Sequence, residues 1–129
     1  MRILLDTNRL TDTLRHDPSV SDLVEEAAEV WIPFVALAEI KAGFLGGSPR
    51  RRAHNEALLL RFLALTSVLI VLPDGETIEV YARLFVQLRQ SGTPVPTNDL
   101  WIASLAIQHQ LTLLTRDRHF AKIPQVSVL

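Results

Sequence analysis

Cysteine is absent from the 129 residues. That excludes disulfides and thiolate zinc sites, and it is compatible with a reducing cytosol. No uncharged apolar run reaches the ~20 residues that a membrane span needs. The longest candidate, Ala57 to Leu72, is interrupted by Arg61. The N-terminus lacks a basic segment followed by an apolar signal region. Together these absences lead us to expect a soluble, cytoplasmic protein with no membrane association. An excess of either charge is missing too: the net charge is −1 and the pI about 6.4. A polyanion binder of this composition must rely on local basic clusters or on metal ions. Internal repeats, low-complexity segments and a glycine-rich phosphate loop are lacking, and His16, His54, His109 and His119 stand at no metal-ligand spacing.

What remains is an apolar-rich chain, 48% hydrophobic, which argues against extended disorder. Its length suits one domain, residues 1–129, with a core large enough to fold without covalent or metal staples. Short apolar runs alternate with helical stretches. Strands are expected at Ile3–Leu5, Val30–Phe34, Val68–Leu72, Leu111–Thr115 and Val126–Leu129, with Pro33 ending the second or forcing it to an edge. Helices are expected at Ser21–Ala28, capped by Ser19 or Ser21, and at Val35–Leu45, closed by Gly46-Gly47. A further helix runs from the Ser48-Pro49 start to about Leu65, followed by others at Thr77–Gln90 and Asn98–His109. Pro94-Val95-Pro96 forms a stiff loop. Strands alternating with helices imply an α/β fold with a parallel sheet covered on both faces, and sites in such sheets form beyond the carboxyl ends of the strands.

Two acids follow strands directly: Asp6 after the first and Asp117 after the fourth. Each alone is explained by turn closure. Glu39 stands four residues from Val35 and from Gly43, on an apolar helical stripe, where a buried carboxylate needs a partner, a metal or a cleft. The alternative for Glu39 is the rim of the buried face or a pair with a nearby arginine. Asp99 opens a helix after the proline loop, where the helix dipole favours an acid, although Thr97 or Asn98 can cap equally well. If the four carboxylates converge, they suit a hard divalent cation, and a pair of such ions serves phosphodiester hydrolysis.

Taken in order, Asp6-Thr7-Asn8, Glu39 with Gly43, Asn98-Asp99-Leu100-Trp101-Ile102-Ala103, and Leu114-Thr115-Arg116-Asp117 with His119-Phe120 resemble the PIN-domain metal-dependent ribonucleases. The likeness is greatest to the VapC-type toxins of prokaryotic type II toxin–antitoxin pairs. The resemblance implies a three-layer α/β/α sandwich around a central parallel sheet. It implies Mg²⁺ or Mn²⁺ held by the catalytic Asp6, Glu39, Asp99 and Asp117, with Asn8 and Thr115 supporting the site by hydrogen bonds. It also implies an RNA substrate (tRNA or rRNA), a VapB-type antitoxin as partner, and a homodimer.

Arg9 stands where an apolar residue is common in the family; it either contacts RNA phosphate, pairs with a site carboxylate or projects into solvent. Arg116 and Arg118 flank Asp117 and are further candidates for RNA contact, or balance the acidic cluster. Arg50-Arg51-Arg52, in the first turn of a helix, reads either as a solvated face or as a phosphate or antitoxin contact. Ala57–Leu65 is apolar almost all round, as for a helix buried on more than one side, in a core or a dimer interface. Trp101 reads as core. His119 is the one histidine near the proposed site and reads as structural. A competing reading is a catalytically silent PIN-like module that binds RNA or protein. An aspartyl-phosphate phosphohydrolase is disfavoured because Asp6 is followed by Thr7-Asn8 rather than x-Asp. A flap-cleaving deoxyribonuclease is disfavoured because the chain has no room for a helical arch.

Overall fold

A computed structural model describes all of residues 1–129. In chain order the elements are β1 (Arg2–Leu5), α1 (Thr7–Leu14), α2 (Pro18–Glu26), β2 (Glu29–Pro33), α3 (Phe34–Leu45), α4 (Pro49–Leu63), β3 (Val68–Val71), α5 (Gly75–Gln90), α6 (Thr97–Gln108), β4 (Thr112–Leu114), a 3₁₀ turn (Arg118–Lys122) and β5 (Ser127–Val128). The strands form one sheet in the order β3-β2-β1-β4-β5, every pair parallel. β1 lies at its centre. From β1 the chain winds outward through β2 and β3, and later returns to add β4 and β5 on the other side. The gap between β1 and β4 is therefore the point where the winding reverses, which in open parallel sheets is where a crevice opens beyond the strand ends.

The alternation along β1 divides the core. Leu4 faces the cluster built from α5, α6 and the 3₁₀ turn, while Ile3 and Leu5 face the one built from α1 to α4. All three side chains are fully buried. β4 does the same with Leu113 and Leu114. Helices thus cover both faces, giving three layers. No helix is long and apolar enough to cross a membrane. Trp101 is half-buried against the first cluster and stacks on Tyr81, with ring centroids 4.2 Å apart.

Several local starts follow from side-chain caps. Ser48 accepts from Arg51 N at 3.2 Å and Pro49 occupies the first turn of α4. Asp74 and Thr77 form a reciprocal capping box that starts α5 at Gly75, two residues earlier than periodicity suggests. Pro33 ends β2, as expected, and α3 begins at once. Helix α2 starts at Pro18, capped by Asp17 rather than by Ser19 or Ser21. α1 is not expected from its pattern, since Thr7–Leu14 carries only Leu10 and Leu14 as apolar residues. It forms because Asp6 caps it and Leu10 is fully buried. Within the chain, the core buries α4 on one side: Leu59 is buried, whereas Leu60 is 71% exposed, which removes the core alternative for its outer face and leaves the dimer alternative.

Phe120 fastens the segment after β4. It is 1% exposed and belongs to the α5/α6 cluster, so it holds the short turn that carries Asp117 and His119. We predict that Phe120→Ala destabilises the protein by about 3–5 kcal/mol. Urea denaturation should show a lower midpoint at unchanged slope. A loss under about 1 kcal/mol would mean that this turn is not anchored by its aromatic ring.

Candidate active site

Asp6 leaves the end of β1 with 4% of its surface exposed. Its Oδ1 accepts from Arg9 N at 2.9 Å and caps α1. Its Oδ2 accepts from the Thr115 hydroxyl, just past β4. The same Thr115 Oγ1 accepts from the Asp117 backbone N–H at 2.9 Å. Thr115 therefore bridges the two strand ends at the winding reversal and fixes Asp6 relative to Asp117. The turn reading of Asp6 is thus half of its role: one oxygen caps a helix, and the other is held toward the neighbouring strand.

Asp117 caps the 3₁₀ turn, its Oδ1 accepting from His119 N at 2.9 Å. The chain then folds His119 back, so that Nδ1 lies 2.9 Å from Asp117 Oδ1 and 3.0 Å from Asp99 Oδ2. Asp99 is not a cap: α6 begins after Pro96 without any side-chain cap, and Asp99 turns toward the imidazole. Asn98 turns the other way and donates to Glu39 Oε1 at 3.0 Å. Ligand atoms of Asp99, Asp117 and His119 lie within 4.8 Å of one another.

The electrostatics run through all four acids. Burial is the main cause that raises the Asp6 pKa; the Thr115 and Arg9 hydrogen bonds oppose it and the Asp117 charge adds to it. Asp99 is raised first by burial and next by Asp117, with a smaller contribution from Glu39, against the hydrogen bond and charge of His119. Each raised carboxylate thus responds to Asp117, and Asp99 also responds to Glu39.

Several expectations need correction. Glu39 is exposed rather than buried on an apolar stripe: it stands at the mouth of the site on α3, tied to α6 through Asn98. Asn8 is exposed and its side chain makes no hydrogen bond, so it gives the site no such support. Arg9 neither projects into solvent nor meets a site carboxylate. Its guanidinium pairs with Asp12 at 3.3 Å and donates to Ser19 Oγ at 3.0 Å, leaving little free for RNA. Arg116 also pairs with Asp12, at 3.0 Å, although it stays exposed. Arg118 is exposed and forms no ion pair. Two residues carry more than their sequence context suggests. His119 joins Asp99 to Asp117, and its place directly after the Asp117 segment was the available signal. The nearly buried Asp12 anchors both arginines, with no signal beyond its polar surroundings.

The PIN-domain profile matches residues 3–126. This chain belongs to the PIN-domain family. Among its relatives is ribonuclease VapC4 of Mycobacterium tuberculosis, 33% identical over 102 residues, covering 76% of this chain and 74% of that protein. Toxin FitB of Neisseria gonorrhoeae is 31% identical over 124 residues, 89% of this chain and 87% of FitB. The toxin–antitoxin complex VapBC2 of Rickettsia felis, solved with a DNA fragment from its promoter, superposes with a TM-score of 0.88 at 28% identity, covering 100% of this chain and 98% of its match. The three-layer fold of this PIN domain is therefore that of solved toxin–antitoxin proteins.

The donor set fits a hard divalent cation. Carboxylate oxygens of Asp99 and Asp117 dominate it, no thiolate exists, and a positive centre would relieve the repulsion between these acids.

The raised Asp6 pKa gives a stability prediction with a definite sign. Folding penalises the ionised form, so metal-free protein loses stability as pH rises from the unfolded value of 3.8 through the folded pKa, and regains it on acidification. In chelator at neutral pH, Asp6→Asn should melt at a higher temperature than the parent, with the gap closing toward pH 4. Added Mg²⁺ should stabilise the parent more than the variant. Equal melting temperatures at neutral pH in chelator would sink this account.

Proposed function

We propose that this chain is a metal-dependent endoribonuclease, the toxin of a type II toxin–antitoxin pair, acting in the cytoplasm on tRNA or rRNA. The observation that supports the reading is the cluster of Asp99, Asp117 and His119 beside the winding reversal between β1 and β4, to which Thr115 links Asp6 and Asn98 links Glu39, although these two acids lie outside the cluster itself. In this reading Asp6, Glu39, Asp99 and Asp117 hold Mg²⁺ or Mn²⁺. The bound cation supplies Lewis acidity toward the phosphodiester and lowers the pKa of a water nucleophile.

The chain's own residues prepare that chemistry. Thr115 and the Arg9 N–H hold Asp6 in one orientation, so little ordering is left for the moment of binding. Asn98 orients Glu39 from the opposite side of the cleft. His119 lies between Asp99 and Asp117 and holds the two acids side by side, where it would stand next to a bound cation. The VapBC complexes among the structural relatives support a VapB-type antitoxin as partner. A homodimer is supported by apolar surface at the open sheet edge, where Leu69, Ile70 and Leu72 are exposed on and beside β3.

The test is cleavage of a total-RNA pool by purified protein with Mg²⁺, with Mn²⁺ and with chelator. Discrete metal-dependent products should disappear in Asp6→Asn and Asp99→Asn. Thr115→Val, which keeps all the acids, should weaken metal affinity about 10–100-fold, as expected for a residue that orients a ligand. Cleavage that persists in both acid variants would refute the assignment of the site. Metal-independent retention of RNA without cleavage would favour the silent binding module instead.

A further inference from the structure

Two cavities join along α3, on the side of the molecule that presents Glu39. One, of about 300 Å³, is bounded by Glu39, Thr7, Thr11 and the apolar side chains of Leu14, Ile40 and Leu58. The other, of about 540 Å³, lies at the start of α4 and is walled by Arg50, Arg51 and His54. Arg15, Gly43, Phe44 and Asn55 line both, so the two form one continuous groove. Glu39 and Gly47 are eight residues apart on α3 and its end, which places the basic end about 12 Å from the acidic one.

The basic end contains no carboxylate. Arg15, Arg50 and Arg51 are exposed, and none has an acidic partner within ion-pair distance. Neighbouring Arg52 differs, since its guanidinium donates to Leu45 O at 3.2 Å and closes the end of α3. No acid occupies the first turn of α4 to offset these cations, although a helix N-terminus repels positive charge. The fold therefore places unneutralised cations where its own field opposes them, and that field adds to theirs. An anion on this surface relieves both.

We infer that the cavity bounded by Arg15, Arg50, Arg51 and His54 is a phosphate-binding subsite for single-stranded RNA, a few nucleotides from the bond held at the carboxylates. Phe44 is the stacking surface between the two ends. The inference rests on the nuclease reading for the identity of its ligand. Arginine forks match phosphate oxygens, and aromatic faces accept any base. Within the groove the basic cavity suits an anion rather than an apolar segment, because Phe44 is the one apolar side chain lining it, whereas Leu14, Ile40 and Leu58 lie in the adjoining cavity.

The experiment is fluorescence anisotropy of a short fluorescein-labelled single-stranded RNA with full-length protein in chelator, across a salt series. Arg50→Ala/Arg51→Ala should weaken binding irrespective of sequence. It should also reduce the slope of log K against log salt by about 1.4, at ~0.7 per lost phosphate contact. Phe44→Leu should weaken binding about tenfold with the slope unchanged. Arg83→Ala/Arg89→Ala, which removes the same charge from α5, should match the parent in slope. Equal slopes for the two arginine pairs would overturn the subsite, as would a parent that binds no RNA. Displacement of the RNA by hexaglutamate at lower concentration than by unlabelled RNA would also overturn it, and would assign the cavity to an acidic peptide. Cleavage measured in parallel separates the two readings. A parent that cuts RNA with no slope change in Arg50→Ala/Arg51→Ala refutes the subsite alone. A slope change in a parent that cuts nothing refutes the nuclease alone.

Discussion

The Thr115 hydroxyl links the ends of the two central strands, and the site depends on that link. One oxygen atom donates to Asp6 and accepts from the Asp117 backbone. Asp6 is nearly buried and carries a raised pKa, so its charge is costly where it stands. A buried carboxylate of this kind persists when its oxygens are fully engaged, and here the α1 N-terminus and Thr115 engage both. The parallel register of Leu5 with Leu114 brings these partners side by side. A shift of either strand by one residue would exchange the core that each of its side chains faces, spoil the packing of both, and separate Asp6 from Thr115. Packing and chemistry therefore specify the same register.

Around this link the acids are arranged so that their charges interact. Burial raises both Asp6 and Asp99, the Asp117 charge adds to each, and Glu39 adds to Asp99. The imidazole of His119 offsets part of this by lying between Asp99 and Asp117. Clustered carboxylates of this kind repel one another while ionised. They also make folding and cation binding interdependent, because a cation relieves repulsion that the fold otherwise sustains. Away from the cleft, Asp12 takes up Arg9 and Arg116, which keeps two cations close to the site without neutralising its acids. Arg15, Arg50 and Arg51, at the far end of the groove, have no acidic partner.

Much of the architecture is legible in the sequence because burial imposes simple periods. Ile3–Leu5, Val30–Ile32 and Leu113-Leu114 are packed on both faces and appear as continuous apolar runs. Helix α1 escapes such reading because it touches the core chiefly through Leu10, and its start is a capping bond that resembles an ordinary turn. The end of α6 is legible to within one residue, although Gln110 beyond it adopts the left-handed conformation that usually signals glycine. The apolar neighbours of Glu39 suggest burial, but the α3 stripe passes beside the residue rather than under it, leaving the side chain at the cleft mouth.

By itself, then, the sequence determined the alternation of strands and helices, the parallel sheet, and the positions of Asp6 and Asp117 at strand ends. Those follow from local hydrophobic period and from the absence of any other chemistry-bearing motif. Tertiary structure decided which residues meet. It joined His119 to Asp99 across 20 positions and Thr115 to Asp6 across 109, and it committed Arg9 to Asp12 while leaving Asn8 idle. It also merged the flanks of α1, α3 and α4 into one groove. Side-chain direction and long-range contact decide these relations, and neither has a period that a linear chain can display.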